Sequence, residues 1–122
     1  MTLRTSERYH AAVVAIRGEF FGTYDGPAFR KAVATLREAG KTRVVVDLSG
    51  VTRLDSSCLG ALIGEAQALR ALGGDLRLAG VNGNNRVLHL LSICGLLTFF
   101  EWQPTVDEAV ATFANVEAEA AA

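Results

Sequence analysis

Apolar residues recur along this chain at two different spacings, and the spacing changes at short polar or glycine-containing segments. Thr2–Glu7 and Ala12–Arg17 lie on either side of a polar turn, and the second is rich in β-branched residues, which predicts a hairpin. Arg43–Leu48 is an apolar run with charged ends, which is typical of a central strand covered on both faces. Two further short strands are predicted at Asp75–Ala79 and Thr98–Trp102.

Two segments with helical spacing flank the predicted central strand. The first is expected to begin with Asp25 as its N-cap and Pro27 in its first turn, and to end at Gly40. The second follows the central strand and ends at Gly73, with Glu65 largely away from its apolar face. The residues of that apolar face are Leu59, Leu62, Ile63, Ala66 and Leu69.

Two more helices are predicted in the second half of the chain. The third ends at Gly95, and the residues on its apolar side are Val87, Leu90, Leu91 and Cys94. Cys94 is therefore expected to be a small core residue. The fourth helix is expected to start at Thr105, because Thr105 and Glu108 have the spacing of a capping box.

The order of these elements predicts the fold class. Strands and helices alternate from residue 40 onward with short connections, which favours right-handed crossovers and a parallel sheet. The sequence thus predicts a single α/β domain over residues 1–116, in which a mixed, mostly parallel sheet of about five strands packs with about four helices. Residues 117–122 have little to bury and are expected to fray.

Composition narrows the class of protein. The chain has 122 residues, 50% of them hydrophobic, which suits one domain with a real core. Its 12 basic and 13 acidic residues include no basic run, so nucleic acid is not an expected partner.

No apolar stretch approaches the roughly 20 residues of a membrane span, and the first residues lack a signal peptide's apolar core. We expect a cytoplasmic protein without membrane insertion, and Cys58 and Cys94 as reduced thiols.

The segment Leu54–Gly60 joins the central strand to the second helix and brings two hydroxyls and one carboxylate to a helix N-terminus. Free backbone N–H groups and the positive end of the helix dipole lie there, so a serine that gains a phosphate carries its charge where it is tolerated. The same residues also suit a structural role, in which Ser56 or Ser57 caps the helix and Asp55 adds a favourable charge. Capping and phosphorylation are compatible, and the residues alone leave both open.

Catalytic and metal-binding chemistry has little support in the sequence. A nucleophilic serine needs a base, and neither His10 nor His89 is tied to Ser56 by a motif such as a G-x-S-x-G elbow. The histidines and cysteines lack the paired spacings of zinc sites, and Gly80–Gly83 lacks the pattern of a phosphate-binding loop. We therefore expect a protein that is not an enzyme and that holds no metal or cofactor.

The run from Val45–Leu48 through Val51 to Leu54–Leu62 resembles the STAS domain of bacterial anti-sigma factor antagonists. The resemblance covers nearly the whole chain, because it extends to Gly18–Glu19, Gly73–Gly74 and Leu88–Leu97.

This resemblance implies a domain that binds an anti-sigma factor serine kinase while unphosphorylated. The kinase then phosphorylates the domain, with ATP as the kinase's own substrate, and a PPM-type phosphatase reactivates it. In the family the modified hydroxyl belongs to the serine directly after the aspartate, which here is Ser56, with Ser57 as the second candidate. The implied partner-binding residues at the junction are Asp55, Ser56, Ser57 and Cys58.

Two positions depart from the family pattern. Cys58 stands where the family usually has glycine, and we expect its side chain to lie beside Ser56 and narrow the approach of a kinase. Phe21 is nearest to the position of a common aspartate, while Asp25 is expected to be the N-cap. Candidate partner anchors, with core packing as the alternative, are the exposed-looking Phe20, Phe21 and Tyr24.

The resemblance also implies two alternatives, because related STAS domains occur with anion transporters and lipid-trafficking ABC systems, and in stressosome-like scaffolds. The chain would then be an accessory subunit of a membrane transporter or a scaffold subunit.

Overall fold

The computed structural model describes the backbone of residues 1–121 and the side chains of residues 1–114. Within this part of the chain, five strands form one sheet that packs with four helices, which confirms the predicted α/β class. The strands are β1 (Thr2–Glu7), β2 (Ala12–Phe20), β3 (Arg43–Leu54), β4 (Asp75–Ala79) and β5 (Trp102–Gln103). The helices are α1 (Asp25–Glu38), α2 (Ser56–Ala71), α3 (Asn85–Ile93) and α4 (Val106–Ala121).

The strand order is β1-β2-β3-β4-β5, and only the β1–β2 pair of these neighbours is antiparallel. β3 is central, as its apolar run predicts, since Val44 and Val46 face one hydrophobic core and Val45 faces a second. The first core lies between the sheet and α1, α2 and α3, and the second lies between the sheet and α4. Because β2 and β3 are parallel, their carboxyl ends meet at one edge of the sheet, directly before α1 and α2.

β2 and β3 are longer than predicted and bring two loops together. They extend beyond the predicted ends at Arg17 and Leu48, to Phe20 and Leu54, with two irregularities in their register. Polar residues in the extensions interrupt the apolar pattern, so periodicity alone ends both strands too early. The extensions set the β2–α1 loop beside the start of α2.

α1 and α2 lie against each other and share an ion pair. A Cβ built on Gly26 would lie 3.7 Å from Ala61 Cβ, so the two helices approach closely near their N-terminal ends. Farther along, Arg37 Nη2 lies 3.2 Å from Glu65 Oε2. The prediction that Glu65 lies away from the packed face is wrong, since the residue is 5% exposed. Its burial is possible because Arg37 crosses from α1 to neutralise the carboxylate.

Two predictions for the second half of the chain are wrong. Thr98–Trp102 does not form a strand, because the chain turns there, with Phe99 N bonded to Leu96 O, and β5 begins only at Trp102. Cys94 is exposed rather than part of the core. α3 ends one residue before it, so the buried side of the helix does not continue to Cys94.

The start of α4 agrees with the predicted capping box, because Thr105 Oγ1 accepts a hydrogen bond from Glu108 N at 3.1 Å. The expected frayed tail at 117–122 lies outside the residues whose side chains the structure describes, so the domain boundary at 116 stays a prediction. Over the described residues, none of the helices combines the length and the apolar character that a membrane crossing requires.

Candidate functional site

The carboxylate of Asp55 organises the junction between β3 and α2. Asp55 is the N-cap of α2 in an extended conformation, and its Oδ1 accepts a hydrogen bond from Cys58 N at 2.8 Å. Ser56 and Ser57 occupy the first two positions of the helix, so the alternative in which one of them caps the helix is wrong. Both serines are exposed, and neither hydroxyl is needed to start the helix.

The second oxygen of this carboxylate fixes the β2–α1 loop. Asp55 Oδ2 accepts a hydrogen bond from Gly22 N at 2.9 Å, and Gly22 has a φ of 88°, a conformation that favours glycine. Burial raises the pKa of Asp55, but the hydrogen bonds from Gly22 N–H and Cys58 N–H outweigh it and hold the pKa below its ordinary value of 3.8. The carboxylate is therefore charged at neutral pH and ties the loop to the helix.

The two serines have different surroundings. Ser57 lines a shallow depression of about 390 Å³ between α1 and α2, together with Asp55 and Arg30. Arg30 is held there by α2, since its Nη2 donates a hydrogen bond to Gly60 O at 3.3 Å. Among the described residues, Ser56 does not line this depression and is exposed. Ser57 therefore shares a depression with Arg30, whereas Ser56 does not line it.

The expectation that the Cys58 side chain lies beside Ser56 on the surface is wrong. Its side chain is fully buried in the first core, and its Sγ lies 3.9 Å from Gly22 O. Burial, together with the hydrogen bond to Asp55 and the charge of that residue, raises the pKa of the thiol to about 12. Cys58 therefore does not narrow access to Ser56, and its predicted role as a partner contact is wrong.

The aromatic residues of the β2–α1 loop divide into one buried and two exposed side chains. Phe20 is fully buried, with its ring centroid 5.5 Å from that of Phe29, so the alternative of core packing is correct and the predicted partner anchor is wrong. Phe20 is the last residue of β2 and still faces the core. Phe21 is 37% exposed and Tyr24 is 86% exposed, so both are accessible to a partner.

Arg53 belongs to the same surface, although no pattern in the sequence predicts it. Its guanidinium carbon lies 3.9 Å from the centroid of the Phe21 ring, which is a cation–π distance. Arg53 pairs with Glu19 in the sheet, at the point where β2 and β3 both end. Its position two residues before Asp55 places Arg53 near the junction in the sequence. Only the strand pairing, however, brings it to Phe21.

Asp25 closes the loop instead of capping α1. Tyr24 is the N-cap and makes no side-chain capping bond, while Asp25 Oδ2 accepts a hydrogen bond from Phe21 N at 2.9 Å. The predicted N-cap is therefore wrong, although a carboxylate in the first turn still suits the helix dipole. Two consecutive N–H groups of the loop are thus held by aspartates, Phe21 by Asp25 and Gly22 by Asp55.

The described residues contain no group of three or more histidine, cysteine, aspartate or glutamate side chains that could hold a metal ion. His10 packs against Tyr9 in the hairpin turn, with ring centroids 4.4 Å apart, and His89 belongs to α3. The expectation that the protein uses no metal stays a prediction.

A comparison with protein families identifies the fold. The sequence model of the STAS domain family matches residues 2–109. The chain belongs to the STAS domain family. No curated protein matches its sequence significantly.

Solved structures of similar length share the fold of this STAS domain. An anti-sigma factor antagonist from Mycobacterium paratuberculosis is 24% identical, with a TM-score of 0.76 over 93% of this chain and 93% of that chain. The phosphorylated form of the Bacillus cell fate determinant SpoIIAA is 19% identical, with a TM-score of 0.69 over 91% of this chain and 98% of that chain. A sulfate transporter family protein from Wolinella succinogenes is 21% identical, with a TM-score of 0.69 over 84% and 83% of the two chains. At these identities the likeness establishes the fold.

Proposed function

We propose that this STAS domain is an anti-sigma factor antagonist. It binds an anti-sigma factor serine kinase, and phosphorylation of Ser56 by that kinase switches the binding off. The observation that carries the proposal is the exposure of Ser56 at the first position of α2, directly after a cap that also fixes the β2–α1 loop. The phosphorylated form of Bacillus SpoIIAA and the anti-sigma factor antagonist from Mycobacterium paratuberculosis support it, since both share this fold.

The contact surface in this proposal combines the two serines with the exposed part of the loop beside them. Asp55 acts mainly by positioning, because its two oxygens hold the loop and the helix in one arrangement. Aromatic residues and arginine are the types that concentrate in interface hot spots. This Ser56 surface consists of Ser56, Ser57, Phe21, Tyr24 and Arg53.

The charge of a phosphate is sufficient to break such a complex. Phosphorylation of Ser56 adds about −1.5 to −2 charges at neutral pH. A unit charge that faces a partner carboxylate at about 4 Å costs roughly 4 kcal/mol at an effective dielectric near 20, which weakens binding about a thousandfold. The helix dipole stabilises an exposed anion by only about 0.3–1 kcal/mol, so it eases the modification of the free domain without rescuing the complex.

Ser56 is proposed rather than Ser57 because of the cation beside Ser57. Arg30 and Ser57 line the same depression, so the guanidinium would partly neutralise a phosphate on Ser57. Ser56 lies outside that depression and is exposed. A phosphate repels a partner carboxylate most strongly when no cation of the STAS domain itself neutralises it, which favours Ser56.

The rest of the cycle belongs to the partners. The kinase binds and consumes ATP, and a PPM-type phosphatase removes the phosphate from Ser56. The STAS domain is then a phosphate acceptor in the cytoplasm and neither an enzyme nor a holder of a cofactor.

The test combines phosphorylation and binding, using the purified chain and the serine kinases of its own genome. With ATP, mass spectrometry is expected to map one phosphate to Ser56, which Ser56→Ala abolishes and Ser57→Ala retains. Ser56→Asp is expected to weaken kinase binding strongly, whereas Ser57→Asp, which adds the same charge beside Arg30, weakens it less. A kinase that binds the chain tightly but modifies Ser56→Ala as fast as the wild type would refute the switch.

A transporter subunit is the second candidate, because the Wolinella protein of this fold belongs to a sulfate transporter family. Affinity purification of the chain from its own cells distinguishes the candidates. Recovery of a permease and an ATPase without a serine kinase would favour the transporter, and recovery of a large assembly of STAS proteins would favour a scaffold.

A further inference from the structure

The side chains that the structure describes for α4, up to residue 114, leave part of the sheet face that carries this helix uncovered. α4 packs over Val13 of β2 but leaves Ala15 half-buried and Arg17 exposed farther along the same strand. In the antiparallel pair with β1, Ala15 lies opposite Arg4 and Arg17 lies opposite Thr2, so these four residues share one face of the sheet. Two arginines are therefore diagonal neighbours on an open surface.

These two arginines differ from the other arginines, because their side chains have no partner among the described residues. Among the described residues, neither the Arg4 side chain nor the Arg17 side chain has a hydrogen bond, an ion pair or a ring contact, and together they line a depression of about 480 Å³ with Thr2, Leu3 and Ala15. The arginines that do have such an interaction are Arg8, Arg30, Arg37, Arg43, Arg53, Arg70, Arg77 and Arg86. Two uncompensated guanidinium groups thus meet in one depression.

The stem of Arg17 lies across the sheet because the neighbouring strand has a glycine there. A Cβ built on Gly50 would lie 2.9 Å from Arg17 Cγ, and Gly50 does not have a positive φ, so the glycine provides space for the side chain rather than a special backbone angle. Asp47 pairs with Ala15 in the sheet. Its Oδ1 accepts a hydrogen bond from Ser49 N at 3.0 Å, and it forms no ion pair with Arg17.

We propose that this depression, the Arg4–Arg17 surface, docks a carboxylate-rich segment of a partner protein. Two guanidinium groups offer charge-assisted hydrogen bonds to carboxylates, and the small Ala15 between them forms a flat apolar floor. Arginine is enriched at protein interfaces, and complementary charge guides association. The chain has a net charge of −1, so this positive charge is local to the Arg4–Arg17 surface. The surface shares no residue with the Ser56 surface and goes beyond the proposed function.

The experiment uses a hexaglutamate peptide, added to the isotope-labelled full chain at low ionic strength and followed by backbone amide NMR. The largest shifts are expected at Arg4, Ala15 and Arg17. Arg4→Gln and Arg17→Gln should each weaken binding about two- to fivefold, and the double variant should abolish the shifts. Glutamine keeps the Cγ atom that lies against Gly50, and thermal unfolding verifies that the variants are folded.

Lys31→Gln is the matched control, because Lys31 is an exposed cation on α1, on the other face of the sheet. It should leave peptide binding unchanged. Equal weakening by Lys31→Gln and Arg17→Gln would overturn the proposal, as would undiminished binding by the double variant.

Inorganic phosphate is the second probe. If phosphate gives the same shifts with equal affinity, the surface binds small oxyanions and the docking proposal is overturned.

Discussion

Asp55 and Gly22 are 33 residues apart in the chain, yet the carboxylate of Asp55 accepts the backbone N–H of Gly22 at 2.9 Å. The same carboxylate caps α2 through Cys58 N. One side chain therefore positions both the loop that carries Phe21 and the helix that begins with Ser56. This geometry explains why an aspartate precedes the serine, although its charge disfavours a second anion on the next residue.

Asp55→Ala is expected to lower the free energy of unfolding by about 1–3 kcal/mol. It removes a helix cap worth about 0.5–2 kcal/mol and also leaves Gly22 N–H without its partner. Asp55→Asn keeps an oxygen that can cap α2 and should lose less. Equilibrium unfolding in urea measures the free energy of unfolding of both variants. An Asp55→Ala protein as stable as the wild type would contradict the assigned cap.

The contribution of Asp55 to stability should depend on pH. Because its pKa in the folded protein lies below the ordinary value of 3.8, the unfolded chain binds the proton more readily. The stabilisation is fully present above that ordinary value and is lost as the pH falls through the folded-state pKa. The stability difference between wild type and Asp55→Asn should be constant near neutral pH and shrink below about pH 4. A difference that grows on acidification would contradict the assignment.

Phe21→Ala is expected to weaken binding to the kinase about tenfold or more, because exposed aromatic residues at an interface are frequent hot spots. Arg53→Gln removes the guanidinium over the Phe21 ring, a contact worth about 0.5–1 kcal/mol at an exposed site, so it should weaken binding with little loss of stability. Tyr9→Ala is the control, because Tyr9 is 92% exposed in the hairpin turn, outside the Ser56 surface. Equal binding by Phe21→Ala, Tyr9→Ala and the wild type would remove Phe21 from the interface.

The two cysteines should differ sharply in reactivity. Cys58 is fully buried with a pKa of about 12, whereas Cys94 is exposed, and the thiolate is the form that reacts. Iodoacetamide at about pH 8 is expected to label Cys94 in the folded protein and Cys58 only after unfolding in urea. Peptide mass spectrometry locates the label, and Cys94→Ser should make the folded protein unreactive. Rapid labelling of Cys58 in folded Cys94→Ser would contradict its burial.

Elements with a single strong signal were predictable from the sequence. β4 has the predicted bounds because a short apolar strand follows two glycines, and α4 begins after the predicted capping box. The buried face of α2 was harder. A one-sided apolar pattern suits a helix with one neighbour, but α2 packs against both the sheet and α1. Its buried face is therefore wider and includes Cys58 and Glu65.

The candidate site was predictable in position but not in its contacts. Ser56 and Ser57 are at the helix start, as the junction predicts, and the structure shows that both are exposed. The bond from Gly22 to Asp55 and the stacking of Arg53 on Phe21 join residues far apart in the chain, and no local pattern reveals such pairs. They follow only from the parallel pairing of β2 with β3.

Gly74 and Gly60 should respond in opposite ways to the same substitution. A Cβ built on Gly74 would overlap Thr42 O, which also accepts the hydrogen bond from Asp75 N at the start of β4. Gly74→Ala must therefore move β4 away from β3, and we expect a loss of about 1–3 kcal/mol in the free energy of unfolding. Gly60 lies inside α2, and a Cβ there would have no atom within 4 Å, so Gly60→Ala should stabilise the protein by about 0.5–1 kcal/mol. Urea unfolding of the two variants provides the comparison, and a Gly74→Ala protein as stable as Gly60→Ala would mean that β3 and β4 do not approach so closely.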